Sequence, residues 1–438
     1  NNKNLIYYYL MDSVGENIEI TNQEALIIFM NWTKLNGAIF PDISFKVYGE
    51  NERGVHSQNN IRKGSNLIKI PLNMIIHDGM GENTSIGHKL IKYKSRINNF
   101  SIIMVAVFIL TTIKTNHFFK PYYDILPRDI SNFPIFWNNV EYELLIGSHI
   151  LYMIKQRQKS FIEDYQTIIE ICPEFKQWTL KDFLWARTIV GSRNFGINIR
   201  GVSRTAMIPL SDMLNHDPTP KVKWSFDNRD GYFKMKSNES LKKNIAITDT
   251  YGNKCNSQYF LYYGFALPDN PRNTIYINLI HPNSNNKQRK DEIVPNVNGL
   301  LGKDIDKLIF NELMLFLRIS LSDKKMIKKY KYRTQYFYPI NNAHEIIVLK
   351  AFNVYLDTLL SKYKLSYHKI NEQLSYTPRL SKKWNGLILL KGEIEVIFFY
   401  KKLIQQSVDY ITKKNDSFDE KYNSYFIKLR KLRNDCAY

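Results

Sequence analysis

The order of apolar and polar residues splits the chain into a region of short strands and turns broken by helices, and a second region that is helical almost throughout. Thr21 and Glu24 have capping-box spacing in front of the mostly apolar run Ala25 to Leu35, and Gly37 stands where a helix would stop, which predicts a helix over about 22–35. Alternation then sets in at Ile43, Phe45 and Val47, the period of a half-buried strand. The turn signals Gly49–Gly54 and Arg62-Lys63-Gly64 separate it from Val55 and from a strand over Leu67–Ile70. Helical spacing follows over 101–115, 139–157, 158–171 and Leu180–Val190, with Pro121, Pro127 and Pro134 marking a non-helical connection. Strand signals return at Ala206–Leu210, Val222–Phe226, Tyr232–Met235 and Ile245–Thr248, and the turn Asn228–Gly231 gives the middle pair hairpin character. A helical block thus interrupts a β region of small, irregular sheets, which excludes a run of βαβ units.

After Ile275–Ile280 comes the polar stretch His281–Gly299, which reads as a linker. Beyond it helices are predicted over 303–321, Asn342–Tyr363, about Lys391–Thr412 and 418–433. The expected layout is an N-terminal extension over 1–21, an α+β region over 22–280 with a helical insertion at about 97–185, a linker over 281–299, and an all-α domain over 300–438.

Composition narrows the function classes. The 438 residues are 44% hydrophobic, enough for two domains or one with large insertions. The net charge of +20 raises nucleic acid as a partner, but lysine and asparagine are spread along the whole chain, as in Asn283–Lys290 and Lys324–Arg333, so nucleic acid ranks low. The three cysteines, Cys172, Cys255 and Cys436, offer neither a disulfide framework nor C-x-x-C spacing, and the nine histidines show no H-x-x-x-H spacing; a reducing compartment and no metal are expected. The longest apolar run, Ile102–Ile113, is too short for a bilayer and reads as a buried helix, and no charged-then-apolar signal peptide opens the chain. A monomer without a membrane partner, cytoplasmic or nuclear, is the expectation.

Two stretches carry the candidate chemistry: Pro209–Asp217 (PLSDMLNHD) and Tyr251–Phe265 (YGNKCNSQYFLYYGF). Asn, His and Tyr set among apolar neighbours suggest a pocket wall, because buried polar groups need partners. Together with Glu52-Arg53-Gly54 and Asn60-Ile61, Phe119-Lys120-Pro121-Tyr122 with Leu126-Pro127, and Ser192-Arg193-Asn194-Phe195, they form an ordered set. That set resembles the SET-domain methyltransferases of the Rubisco large-subunit methyltransferase type. The resemblance runs from about Gln23 to Leu279 and, more weakly, through the C-terminal region.

The resemblance implies an α+β SET-domain fold of short β-sheets with a pseudoknot-like active site, a helical insertion over about 97–185, and an all-α C-terminal domain that holds the protein substrate. It implies S-adenosylmethionine as cofactor and transfer of methyl groups to the ε-amine of a target lysine. Main chain near Glu52, Arg53 and Gly54, with Arg193, Asn215, His216 and Phe265, would contact the cofactor; Tyr263 and Tyr251 would be the catalytic phenols; Phe195, Ser211 and Asp212 would face the substrate. Arg193 suits a carboxylate and Phe265 a purine face. The actin-histidine branch has Asn where Phe195 stands, Trp at Ser211 and no Tyr at Tyr263, so lysine is the expected target. Two departures stand out. The family's Gly-x-Gly turn is here Glu52-Arg53-Gly54, which predicts strain at a positive φ, and its Gly-Glu is here Asn244-Ile245. Histidine methylation and a non-catalytic interaction module are the alternatives.

Overall fold

A computed structural model describes residues 22–49, 52–281, 287–303, 308–330 and 332–413. Two compact units form, one from the chain up to Asp129 and Ser160–Gly252, the other from Ile130–Lys159 and the chain from Asn253 onward.

The first unit opens with helix α1 (Asn22–Leu35), which buries Ala25, Phe29 and Trp32 at helical spacing. Thr21, its expected cap, lies outside the described residues, as do the rest of 1–21 and the helix expected over 418–433. Strands β1 (Ile43–Gly49), β2 (Glu52–Ser57), β3 (Asn66–Pro71) and β4 (Ile76–His77) follow. Helices α2 (Phe100–Thr112), α3 (Lys120–Asp124), α4 (Ile150–Ile171, of which Ser160 onward belongs here) and α5 (Leu180–Arg193) make the inserted block. Strands β5 (Asn194–Ile199), β6 (Val202–Met207), β7 (Asn215–His216), β8 (Val222–Asp227), β9 (Tyr232–Ser237) and β10 (Ala246–Asp249) then complete three small sheets, ordered β1-β2-β10-β7, β3-β9-β8 and β4-β6-β5. Ladders are antiparallel except β10 with β7, which run parallel with Thr248 opposite Asn215.

Helix α2 is apolar all round, and Ile103–Ile109 are buried without a break, as expected of a core helix. Between α4 and α5 the Arg187 guanidinium pairs with Asp164 at 2.5 Å, both side chains at most 2% exposed, and stands 3.8 Å from the Phe161 ring centroid. Breaking such a pair by removing one partner costs about 3–5 kcal/mol, because the other charge stays buried.

The second unit carries α6 (Asn256–Tyr263), the antiparallel hairpin β11 (Thr274–Leu279) and β12 (Val297–Gly302) with α7 (Lys287–Ile293) between its strands, and helices α8 (Leu308–Ser320), α9 (Asn342–Leu360) and α10 (Lys382–Lys413). Its core gathers Leu313, Leu315, Phe352, Leu356, Ile397 and Tyr400, and Arg318 of α8 makes a buried two-point pair with Glu345 of α9 at 2.8 and 2.7 Å.

Several expectations need correction. Of the stretch expected as a linker, residues 282–286 lie outside the described residues; in 287–299, Ile293, Val294 and Val297 are buried and Val297 pairs with Leu279 in the hairpin. The hairpin lies mostly before residue 300, and the region beyond it is helical, as expected. The helix expected over 139–157 is interrupted: one turn of α-helix over Asn139–Tyr142 and a 3₁₀ turn over Glu143–Leu145 stop before Gly147, which takes φ +98° where a Cβ would stand 2.4 Å from the Lys362 carbonyl oxygen, and the long helix starts at Ile150. No break separates 157 from 158. The strand expected at Ala206–Leu210 ends at Met207, and its partner β5 lacked a sequence signal of its own.

Glu393 of α10 is buried, with Ser148 donating to one carboxylate oxygen at 2.8 Å and Tyr363 to the other at 2.9 Å. Burial pushes its carboxyl up to about 7, against the pull of those two donors. The folded state therefore keeps the proton to higher pH than the unfolded chain. This contribution is fully present below the unfolded value near pH 4.5 and is lost as pH rises through about 7, a swing on the order of 3 kcal/mol. Urea titrations should show a stability that falls between pH 5 and 8 in the wild type, with a clearly flatter fall in Glu393→Gln.

Candidate active site

In the first unit, α5 ends at Arg193 and a short 3₁₀ turn, Ser211–Met213, leads into β7. Arg193 Nη1 donates to the Asp212 carbonyl oxygen at 2.9 Å and lies 3.3 Å from Asp212 Oδ2. Tyr122 of α3, fully buried, donates its hydroxyl to the same Oδ2 at 2.8 Å. Arg53 of β2 donates from Nη2 to the Ile125 carbonyl at 2.8 Å and feels both Arg193 and Asp212.

The charges do not cancel. Burial, then the neighbouring charge of Arg193, brings Arg53 down to about 10, so it stays protonated at neutral pH. Burial alone would lower Arg193, but the Asp212 carboxylate together with the Tyr122 and Tyr251 phenols outweighs it and holds the guanidinium above its ordinary value. Burial likewise pushes the Asp212 carboxyl up, opposed by Arg193, Tyr122 and Arg53. Two guanidiniums thus face one buried carboxylate, and that surplus suits an anionic ligand group such as an amino-acid carboxylate. Asp212 Oδ1 and Ser211 Oγ are buried with no hydrogen-bond partner among the described residues, which is where a ligand donor or a water belongs.

Strand β7 is only two residues long and is fixed by side chains as much as by its ladder. Asn215 Nδ2 donates to the Arg53 carbonyl at 3.0 Å, tying β7 to β2. His216 Nδ1 accepts from the Tyr251 backbone N–H at 3.0 Å, and the Tyr251 hydroxyl donates to the Leu214 carbonyl at 2.9 Å. Leu210, fully buried, takes φ +73° and ψ −45°, a strained backbone at the entry to the turn.

Arg53, Arg193, Asp212, Asn215, His216 and Tyr251 are therefore brought together, as the sequence suggested. Phe195 is not part of that network: its half-buried ring packs edge-on against Trp224 and Phe233 at 5.3 and 5.2 Å. Tyr263 and Phe265 lie in the second unit, at the end of α6 and just past it. The turn between them needs Gly264, at φ +76°. Phe265 stacks on Tyr259 at 5.2 Å, and Lys254 Nζ stands 5.7 Å from the Tyr263 ring centroid. Burial raises the Tyr263 phenol, which stays neutral at pH 7. Asn256, the first residue of α6, ties down the segment that follows the helix, accepting from Leu267 N–H at 3.0 Å and donating to the Leu267 carbonyl at 2.9 Å. Tyr122 had no functional role in the sequence reading; only its place in the Phe119–Tyr122 motif marked it.

The two sequence departures resolve differently from expectation. Glu52 pairs opposite Gly49 in the β1–β2 ladder, extended backbone that any residue adopts, so losing a glycine there does not impose the strain expected. Asn244 takes φ +66°, the left-handed conformation that asparagine tolerates better than other side chains do.

These sheets with their helical insertion and helical C-terminal region define the SET-domain fold with its appended helical domain. The LSMT SET domain bound to lysine and AdoHcy, and Rubisco LSMT bound to sinefungin and monomethyllysine, each superpose with a TM-score of 0.72 over 89% of this chain and 93% of theirs, at 18% identity. Among curated proteins, a ribosomal lysine N-methyltransferase of Schizosaccharomyces pombe is 28% identical over 48% of this chain and 40% of its own length. SET domain-containing protein 4 of Homo sapiens is 22% identical over 60% of this chain and 63% of its own length, and the actin-histidine N-methyltransferase of Gallus gallus is 20% identical over 88% and 69%. The chain spans 40%, 34% and 65% of three ribosomal lysine methyltransferases, one from Saccharomyces cerevisiae and two from S. pombe, so it covers less than two thirds of their length. No protein-family model matches it. Among the described residues no cluster of three or more His, Cys, Asp or Glu is arranged to hold a metal, and no helix is long and apolar enough to cross a membrane.

Because Asn244 occupies a left-handed site just before β10, Asn244→Gly should change stability by no more than about 0.5 kcal/mol, whereas Asn244→Val should cost about 1–2 kcal/mol. Urea unfolding of the two variants checks this.

Proposed function

We propose that the chain is an S-adenosylmethionine-dependent protein-lysine N-methyltransferase. The observation that carries the reading is the pair of desolvated guanidiniums, Arg53 and Arg193, against the single carboxylate of Asp212, in a fold shared with proteins solved with AdoMet, AdoHcy, lysine and methyllysine. Arg193 and Arg53 would receive the methionyl carboxylate; main chain at Glu52–Gly54 and at Asn215-His216 would meet the rest of the cofactor, with Phe265 against the adenine. When bound, S-adenosylmethionine supplies a sulfonium-linked methyl group as the electrophile.

The chain's own task is to align a neutral amine with that methyl. Lysine, with a reference pKa of about 10.4, must shed a proton to solvent, and an apolar, positively charged surrounding favours that loss. The Tyr251 hydroxyl spends its hydrogen on the Leu214 carbonyl, so its oxygen is left as an acceptor for polarised C–H groups. Tyr263, held neutral, serves as the second such acceptor and not as a base. Ser211 and Asp212 line the substrate side, and Phe195 backs it through the Trp224–Phe233 cluster. Alignment supplies most of the rate.

The names of the relatives make ribosomal proteins the first substrates to try. Histidine methylation stays in view because the actin-histidine relatives align over as much as 88% of the chain, but Phe195 offers an imidazole no hydrogen-bonding group. Tritium transfer from labelled cofactor to ribosomal proteins, followed by amino-acid analysis, should yield methyllysine, and Tyr263→Phe should lower the rate roughly fivefold or more, the worth of about 1 kcal/mol of C–H···O contact. Equal rates, or methylhistidine as product, would overturn the assignment.

A further inference from the structure

Away from the Asp212 network, the first unit holds a depression of about 350 Å³ that the methyl-transfer reading does not use. Leu110 of α2 and Ile113 just past its end, with Trp178 and Trp185, give it an apolar and aromatic lining, while Lys114, Arg128 and Lys181 bring three positive charges. The tryptophans are the informative residues. Lysine is scattered everywhere in this chain, but tryptophan occurs only six times, and two of the six line this one depression.

Each wall is built. Trp185 donates its indole N–H to the Pro127 carbonyl at 2.9 Å, and the Arg128 guanidinium sits 5.1 Å over its ring. Arg128 is exposed and is held in place by donating from Nη2 to the Tyr123 carbonyl at 3.3 Å. Asp182, the single carboxylate of the lining, already accepts from the Thr179 N–H and hydroxyl at 2.9 and 2.8 Å as the cap of α5. Lys114, Arg128 and Lys181 make no ion pair among the described residues. The surplus is positive, and the floor is apolar.

The same two elements build this depression and the active site. Helix α5 carries Lys181 and Trp185 at one end and Arg193 at the other; Trp185 and Arg193 are about 12 Å apart along it at 1.5 Å per residue. The stretch Tyr122–Arg128 likewise runs from the Asp212 network to the depression. An extended peptide covers 12 Å in about four residues. We propose that the depression is an exosite for an acidic segment of the protein substrate, at least about four residues from the target lysine, with one apolar or aromatic side chain seated on the half-buried Ile113 and Trp185 and flanking carboxylates on Lys114, Arg128 and Lys181. The proposal deepens the protein-methyltransferase reading and rests on it for the identity of the ligand as substrate.

The test uses a fluorescein-labelled peptide, Glu-Glu-Phe-Leu-Glu-Glu, followed by anisotropy against the full chain, with Lys-Lys-Phe-Leu-Lys-Lys and AMP as controls. Binding of the acidic peptide, none of the basic one, and at least tenfold weaker binding by the double variant Lys114→Glu/Lys181→Glu are expected. Both lysines are exposed, and unchanged AdoHcy affinity by calorimetry verifies that the variant is folded. No binding of the acidic peptide by the wild type, equal binding by the variant, or displacement of the peptide by AMP would overturn the proposal, the last by making the depression a nucleotide site. Failure of the wild type to bind AdoHcy would count against the enzymatic reading instead, since peptide binding is measured without it.

Discussion

The buried carboxylate of Asp212 is the constraint on which the site depends. Its side chain is shielded from solvent, and a charge in such a place persists only where donors surround it. Arg193 comes from the end of α5, Tyr122 from α3, and the charge of Arg53 from β2. Three pieces distant in sequence are thereby drawn to one atom group. Since Arg193 as a donor and Arg53 as a neighbouring charge bring two positive charges to Asp212, satisfying it also assembles the surplus that suits an anionic ligand. Folding and binding draw on the same imbalance.

Backbone strain next to that carboxylate fits this picture. Leu210 holds φ +73° while fully buried, which costs on the order of 1–3 kcal/mol. What the conformation achieves is a tight turn, closed by the Asp212 N–H on the Ile208 carbonyl at 3.1 Å, that aims Asp212 at Arg193 and Tyr122. Strand β7 would be too short to hold its own position. It is secured by the Asn215 amide on the Arg53 carbonyl, by Tyr251 on His216 and Leu214, and by pairing with β10, whose approach requires the left-handed Asn244.

Apolar periodicity made much of this legible. Helices α1, α2, α5 and α9 and the β8–β9 hairpin stand close to where the pattern put them, because their buried faces are apolar and repeat regularly. The motifs placed Arg53, Arg193, Asn215, His216 and Tyr251 in one neighbourhood. Illegible was anything decided by which polar groups are inside. In a chain with 61 basic residues, nothing marks Arg187 and Arg318 as buried, yet each holds two helices together through a carboxylate. The stretch 287–299 misled for the same reason in reverse: its polar majority concealed three buried apolar residues. Phe195 showed a third limit, since residue type and motif position do not reveal that its ring is engaged by Trp224 and Phe233.

Helix α5 shows why a reaction that runs on alignment suits this architecture. Its start is fixed by the reciprocal Thr179–Asp182 cap, its middle by the Arg187–Asp164 pair, and its end by Arg193 on Asp212. A helix held at three points cannot shift along its axis without breaking a buried charge pair, so the spacing between its ends is effectively constant. Reactions catalysed by placement lose rate steeply when a reacting atom is displaced by about 1 Å. A ligand bound at one end of such a helix is therefore in register with whatever is bound at the other. The rigidity comes from buried charge rather than from sheet area, and that lets a unit of small sheets keep its binding groups in place.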